Sequence, residues 1–299
     1  HMAAEWLDFG MGTYALIGGS NIGLIVHDER AVMIDAGLDR SSARQAIRIV
    51  EDMAAPLVAI ALTHGHADHF GGAGWAAQRA DVPVYASPLE GVFAEQPLLE
   101  PLYLNGGAAP IEELQSKFTL ARRGTERTVP LKPGDQDLAG VPVTVIELPG
   151  HAPAQIGIGY EETLYCGDAI FPDDTLERHP ILFCADMDAW LTTLDRMPAL
   201  PYARFVAGHG ETVTDVADRA DATSVRLREI RALSYEALDE PHSVGDVLRA
   251  VAAHYGVHFA APQFYMLSLT TIHAALTSLQ ARGEAEIRME DNHILWMRT

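Results

Sequence analysis

The stretch Leu62-Thr-His-Gly-His-Ala-Asp-His-Phe-Gly-Gly72 places three histidines and an aspartate within six consecutive positions, His64 to His69. A solvated turn can hold such residues, and so can a surface tract with incidental metal affinity. The segment before it argues against both. LVAIAL at 57–62 is a continuous apolar run of the kind that forms a buried strand, so the donors lie where a core strand emerges. Three more donors occupy similar places: His151 after VTVIEL, Asp168 after TLYC and His209 after RFVA. In a layered α/β domain, strand ends converge on one edge, where loops pool polar groups in a single cleft. Seven nitrogen and oxygen donors are too many for one tetrahedral ion and suit two neighbouring cations.

The rest of the chain is compatible with such a site. At 299 residues there is room for one large unit, a smaller one and a substantial core. The composition, 48% hydrophobic and 21% charged, is ordinary for a globular enzyme. A formal charge of −20 repels phosphate backbones and anionic lipid at long range, so nucleic acid and membrane are poor partners. The two cysteines, Cys166 and Cys184, form no CxxC motif or disulfide framework, which fits a reducing compartment. With no signal-like segment and no apolar run long enough to span a bilayer, a cytoplasmic location is expected. His1-Met2 reads as a remnant of tag cleavage and is set aside as a ligand source.

Outward from the histidine cluster, TYALIGG, SNIGLIVHDER and AVMIDAG (13–37) read as successive strands joined by hairpin turns. SSARQAIRIVEDM (41–53) reads as a helix capped by Ser41 or Ser42, and a second helix begins near Gly72. VPVYAS follows as a short strand. Residues 88–128 read as a helical or looped insertion over the sheet, with no detailed pattern. VPVTVIEL, IGIGYEE, TLYCG and ARFVA resume the strands, with a helix at about 187–197. Beyond residue 214 the character changes to helical. A long pattern runs to about Asp239, then come SVGDVLRAVAAHYG and LSLTTIHAALTSLQARGE, ended by Gly283, and a hairpin around Asp291-Asn292. The expected organisation is a catalytic unit at 3–214 and a small, helical, winged-helix-like unit at 215–299.

His64-x-His66-x-Asp68-His69, followed in order by His151, Asp168 and His209, resembles the signature of the metallo-β-lactamase-fold superfamily; Ile34-Asp35-Ala36-Gly37 fits its early strand and turn. The resemblance covers roughly residues 13–210. It implies an α/β fold, the αββα sandwich of that family. It also implies a ligand set: His64, His66 and His151 for one metal, Asp68, His69 and His209 for a second, and Asp168 bridging. Asp35 is a candidate for fixing a ligand imidazole; a turn-capping role for it stands equally open. Zinc is the first expectation for the two divalent ions, with iron or manganese also suited to such ligands. The sequence departs from the family at PGHAPAQ (149–155), where relatives commonly carry PGHTPGQ; the ligand survives, while a hydroxyl and some backbone freedom do not.

The implied reaction is hydrolysis by a metal-bridging hydroxide, with Asp68 both ligand and water-orienter. The ligand set looks more like the thioesterase and lactonase branches than the cysteine-using β-lactamases, so a small ester, thioester or lactone is the expected substrate. A nuclease or phosphodiesterase is the alternative, because the winged-helix-like tail resembles that of relatives that include an endoribonuclease. Residues 216–299, however, carry eight arginines against eleven acidic residues, and a nucleic-acid module needs a basic face. The tail is therefore read as a lid, a packing element or a homodimer contact. A non-hydrolytic diiron member is the third class. Phe171, His179 and Phe183 are candidates for the substrate pocket, and Tyr103 and Asn105 could line it. Cys166 shares a strand face with Asp168 and reads as a buried thiol beneath the site. His27, His242, His254 and His273 read as surface or packing residues.

Overall fold

The β-branched and small apolar residues of the early strands alternate between two faces, and both faces are covered. In the computed structural model, which describes residues 5–299, β1 (Glu5–Gly10), β2 (Thr13–Ile17), β3 (Ile22–His27) and β4 (Arg30–Ile34) run antiparallel. β5 (Leu57–Ala61), β6 (Val84–Ala86) and β7 (Thr128–Pro130) extend that sheet in parallel. The second sheet holds β8 (Gly134–Asp137), β9 (Pro142–Glu147), β10 (Ile156–Tyr160), β11 (Thr163–Gly167) and β12 (Arg204–Ala207) in the order β12-β11-β10-β9-β8. Only its β11–β12 pair is parallel. His1 and the expected start of the first unit at residue 3 lie outside the described residues.

Ile25, Val32 and Ala61 of the first sheet meet Val145, Ile158 and Val206 of the second in one buried cluster. Their neighbours in sequence, Leu24, Met33 and Ile60, point the other way, onto α1 (Arg40–Asp52), α2 (Ala67–Phe70) and α3 (Ala73–Ala80). The insertion supplies α4 (Pro88–Glu95), α5 (Leu99–Leu104) and a 3-10 turn at Glu112–Leu114. On the far face of the second sheet lie α6 (Asp173–Arg178) and α7 (Met187–Arg196), where Trp190 and Leu194 join Leu164, Cys166 and Phe205 in a third cluster. The layer order is helix, sheet, sheet, helix, as expected. α8 (Val216–Glu236), α9 (Val244–His254) and α10 (Pro262–Ala281) enter the same third cluster, and β13 (Ala285–Glu290) pairs with β14 (His293–Arg298) in a separate hairpin.

The structure corrects the sequence reading in four places. β1 went unread because EWLDFG has no apolar run; it is a largely exposed edge strand. Asp39, rather than Ser41 or Ser42, caps α1, accepting the N–H groups of both serines on its carboxylate. Asp68 and His69 belong to the helical turn α2 instead of a loop. α10 starts at Pro262, five residues before the expected LSLTT segment, because proline is well suited to the first helical position. Among the described residues no helix is long and apolar enough to cross a membrane.

Candidate metal centre

Parallel strands in each sheet aim their C-terminal ends at the same edge. Asp35 follows directly on β4 and His64 lies three residues past β5, while Asp168 follows directly on β11 and His209 lies two residues past β12. Backbone bonds lock these ends together: Asp35 N–H donates to Ala61 O at 2.8 Å, Ile156 N–H to Thr63 O at 2.9 Å and Gly208 N–H to Gly167 O at 2.8 Å. Asn21, in the turn between β2 and β3, spans the sheets by donating its side-chain amide to Ala207 O and Gly210 O at 2.9 and 2.7 Å. Gly208 has to be glycine, since a Cβ there would run into Asp168 and His69.

All seven expected donors meet in this cleft. His66 Nδ1 stands 3.1 Å from His64 Nε2 and 3.0 Å from His151 Nε2. His209 Nε2 lies 3.2 Å and His69 Nε2 3.7 Å from Asp68 Oδ2. Asp168 sits between the two trios. Its Oδ1 is 3.4 Å from His69 Nε2, and its Oδ2 is 3.4 Å from His151 Nε2 and 3.5 Å from His209 Nε2.

The outer ring nitrogens settle which way the lone pairs point. His151 Nδ1 donates to Phe183 O at 3.0 Å and His209 Nδ1 to Gly19 O at 2.8 Å, both carbonyls being acceptors only. Thr63 Oγ1 donates to Asp35 Oδ2 at 2.8 Å, so it accepts from His64 Nδ1 at 3.0 Å. His69 Nδ1 is held by Asp35 Oδ2 at 2.8 Å. The inner Nε2 atoms of His64 and His151 are thereby left as acceptors facing the cleft, the orientation metal ligation requires, while His209 turns its Nε2 to the carboxylates of Asp68 and Asp168. Two buried atoms, His69 Nε2 and Asp168 Oδ1, have no hydrogen-bond partner. Orphaned buried donors and acceptors are costly, and a cation between these residues would satisfy them. The residues fit a pair of divalent ions held by nitrogen and oxygen.

Charge divides the trios. Burial, then the neighbouring imidazoles, keeps His64 neutral, far below the ordinary histidine range. Burial and then His151 bring His66 down to about 3, and burial brings His151 to about 4. In the other trio burial opposes the charged forms but is outweighed. Asp68, Asp168 and Asp35 push His69 well up, and Asp168 with Asp68 raises His209 to about 10. The carboxylates of Asp68 and Asp168 are in turn held below their usual range by His69 and His209.

The remaining sequence candidates fall at several places. Phe183 lies edge-on against His66 and His151, with ring centres 4.8 and 5.6 Å apart. Phe171 stacks parallel to His209 at 6.1 Å. His179 is exposed at the end of α6, where burial and the Arg178 and His209 charges lower its pKa. Tyr103 packs edge-on against Phe93, whereas Asn105 turns to the Ala109 carbonyl. Cys166 is fully buried, its thiol near Val206 O, and burial pushes its pKa up. His27 bonds Tyr160, and His242 bonds Glu240 O; His254 lies 3.8 Å from Glu229 and His273 is exposed on α10.

Several residues at the site escaped the sequence reading. Ser20 Oγ donates to Asp68 Oδ2 at 2.9 Å, and a polar Ser-Asn pair between two apolar strands was the available signal. Gln155, buried, accepts Asp168 N–H. Glu90 accepts the N–H groups of Gly65 and Ala154; nothing in PLEGV marks that glutamate as buried. Glu100, on α5, is also buried, with Oε2 unpartnered, and burial followed by the Asp68 charge raises its pKa well above the usual range. The C-terminal helices fasten the loop that bears Phe171 and Phe183: Thr271 donates to Leu182 O at 2.6 Å, Arg226 to Leu176 O and Pro180 O, and Thr223 Oγ1 accepts Phe171 N–H.

Comparison with known proteins agrees with this geometry. The protein named "Probable metallo-hydrolase YybB" of Bacillus subtilis is 30% identical over 186 residues, covering 60% of this chain and 76% of that one. A hydroxyacylglutathione hydrolase of Xylella fastidiosa is 27% identical over 215 residues, 70% of this chain and 67% of that one. A beta-lactamase domain protein from Burkholderia ambifaria superposes with a TM-score of 0.73 at 18% identity, over 99% of this chain and 94% of that one, so the likeness in fold includes the C-terminal helices. The sequence model of the metallo-beta-lactamase superfamily matches residues 16–209, the span that carries all seven donors, and the chain belongs to that superfamily of metal-dependent hydrolases.

Proposed function

We propose that the protein hydrolyses a small ester, thioester or lactone with two divalent cations, zinc by first preference, held by His64, His66 and His151 on one side, by Asp68, His69 and His209 on the other, and by Asp168 between them. The observation that carries this reading is the position of Asp168, whose Oδ2 lies between His151 of one trio and His209 of the other while Oδ1 faces His69 and has no partner in the protein. Two cations held there would supply an acidified water and would polarise the scissile carbonyl. Asp68 is the side chain suited to orient that water: its carboxylate is 29% exposed and Oδ2 is fixed by Ser20. Phe171 beside His209 and Phe183 beside His66 and His151 are suited to form apolar walls of the cleft, and His179, exposed at the end of α6, is the polar candidate outside them.

A relative named for hydrolysis of a hydroxyacylglutathione favours an acyl substrate, as does the absence of cysteine from the donor set. The acidic C-terminal residues disfavour a nuclease. Zinc-loaded protein assayed against thioesters, lactones, β-lactams, phosphodiesters and RNA tests the reading. The expected outcome is turnover of an acyl compound that His66→Ala and Asp168→Ala each abolish. Preferred cleavage of phosphodiesters or RNA, or acyl hydrolysis that survives in both variants, contradicts it. Oxygen-dependent chemistry of an iron-loaded sample, with no hydrolysis by either metal form, contradicts it as well.

A further inference from the structure

The carboxylate of Glu90 is buried, 1% exposed, and takes no part in the chemistry proposed above. It projects from α4, and each oxygen accepts one backbone N–H: Oε2 that of Gly65 at 2.9 Å, Oε1 that of Ala154 at 2.7 Å. Gly65 separates His64 from His66, and Ala154 lies three residues beyond His151. One side chain therefore ties together the two loops that bring all three nitrogens of the first trio. The residue that caps the same helix grips the second loop again, Ser87 Oγ donating to Ala154 O at 2.7 Å. The helix also rests directly on the first loop, since a Cβ on Gly65 would press into Phe93 and the Glu90 carbonyl.

The first trio contains no carboxylate of its own and draws on Asp168, whose Oδ2 lies 3.4 Å from His151 Nε2. The second trio includes Asp68 and has Asp35 behind His69. We infer that Glu90 is a positioning residue for the first trio, holding the His64–His66 loop and the His151 loop at the spacing a cation needs and placing a negative charge behind it. The inference rests on the reading that the seven donors hold two cations. An amide cannot replace the carboxylate, because both partners are N–H donors: glutamine offers one of them its oxygen and turns an NH2 group against the other. Burial of a charge with only two neutral donors is costly, and a dication nearby offsets that cost.

Glu95 supplies the control. It sits on the same helix and also accepts two hydrogen bonds, from Thr128 N–H at 2.7 Å and Thr128 Oγ1 at 2.6 Å, but it bonds to neither ligand loop. Metal-free wild type, Glu90→Gln, Glu90→Asp and Glu95→Gln are titrated with Co²⁺, following both the absorption bands and the number of ions bound, and their metal-free melting temperatures are compared. His66→Ala and His209→Ala assign the bands to the two trios. The expected result is a first-trio affinity about 10–100-fold weaker in Glu90→Gln, the range for outer partners of metal ligands, with the second trio unchanged and Glu95→Gln altered in melting temperature alone. Aspartate keeps the charge but is too short to reach both loops, so it too weakens the first trio; where Glu90→Gln fails to fold, Glu90→Asp is read by the same criteria. Wild-type affinity at both trios in Glu90→Gln, an equal loss at both, or the same selective loss in Glu95→Gln overturns the inference. A wild type that takes up fewer than two ions overturns the two-cation reading, and this inference with it.

Discussion

His64, His66 and His151 meet as neutral imidazoles, whereas Asp68, His69 and His209, a few ångströms away, meet as ion pairs. The difference has a local cause. The first trio is built from strand ends and from a loop under α4, and its outer contacts are a hydroxyl and a carbonyl. The second has three carboxylates around His69, namely Asp35, Asp68 and Asp168. One half of the cleft is therefore ready to accept a cation near neutral pH without losing a proton, and the other must first give protons up. The proposed ligand set thus divides into two halves of different proton coupling.

The comparison can be broken most severely at Asp168, the residue both halves share. Asp168→Asn is expected to lose more than about 100-fold in hydrolysis, beyond the usual effect of an outer partner, and to hold fewer than two ions by elemental analysis. Wild-type stoichiometry in that variant removes the bridge from the account. Asp35→Asn acts chiefly on the second half. It takes the charge from behind His69 and is expected to weaken the second trio about 10–100-fold, and the first by less, because Asp35 reaches His64 only through Thr63; competition with a chelator resolves the two.

A pH series sharpens the contrast further. His69 and His209 have raised pKa values, His209 to about 10, so below that pH a cation must displace protons from them. Affinity of the second trio should climb as pH rises, about tenfold per unit for each proton released. His66 and His151, lowered to about 3 and 4, are already deprotonated, so first-trio affinity should be flat between pH 6 and 8. Calorimetry in buffers of different ionisation enthalpy counts the protons, and equal release at both sites contradicts the division. The smallest effect is expected at Thr271, whose hydroxyl ties α10 to the loop behind His151. Thr271→Val should cost about 1 kcal/mol and lower the melting temperature by about 2–4 °C, with loss of activity confined to a few-fold.

The site was more legible in the sequence than its supports. His64, His151, Asp168 and His209 follow apolar strands and His64 to His69 fall in one short motif, so periodicity and spacing bring the donors to strand ends, though not the helical turn that carries Asp68 and His69. Glu90, Gln155 and Ser20 carry no such mark. Each works through contacts 13 to 64 residues away in the chain, and a lone glutamate on a short helix ordinarily faces water. The expectation that residues 88–128 lie over the sheet as an insertion missed that α4 reaches the ligand loops directly. In the same way, the amphipathic pattern of the C-terminal segment predicts helices but not their target, which Thr271, Arg226 and Thr223 reveal as the loop bearing Phe171 and Phe183.

The most direct test of the two-cation centre is anomalous diffraction from crystals grown with zinc. Two peaks about 3.5–4 Å apart, one among His64, His66 and His151 and the other among Asp68, His69 and His209, with an Asp168 oxygen on each, are predicted. A single peak, or zinc bound away from these residues, would contradict the account.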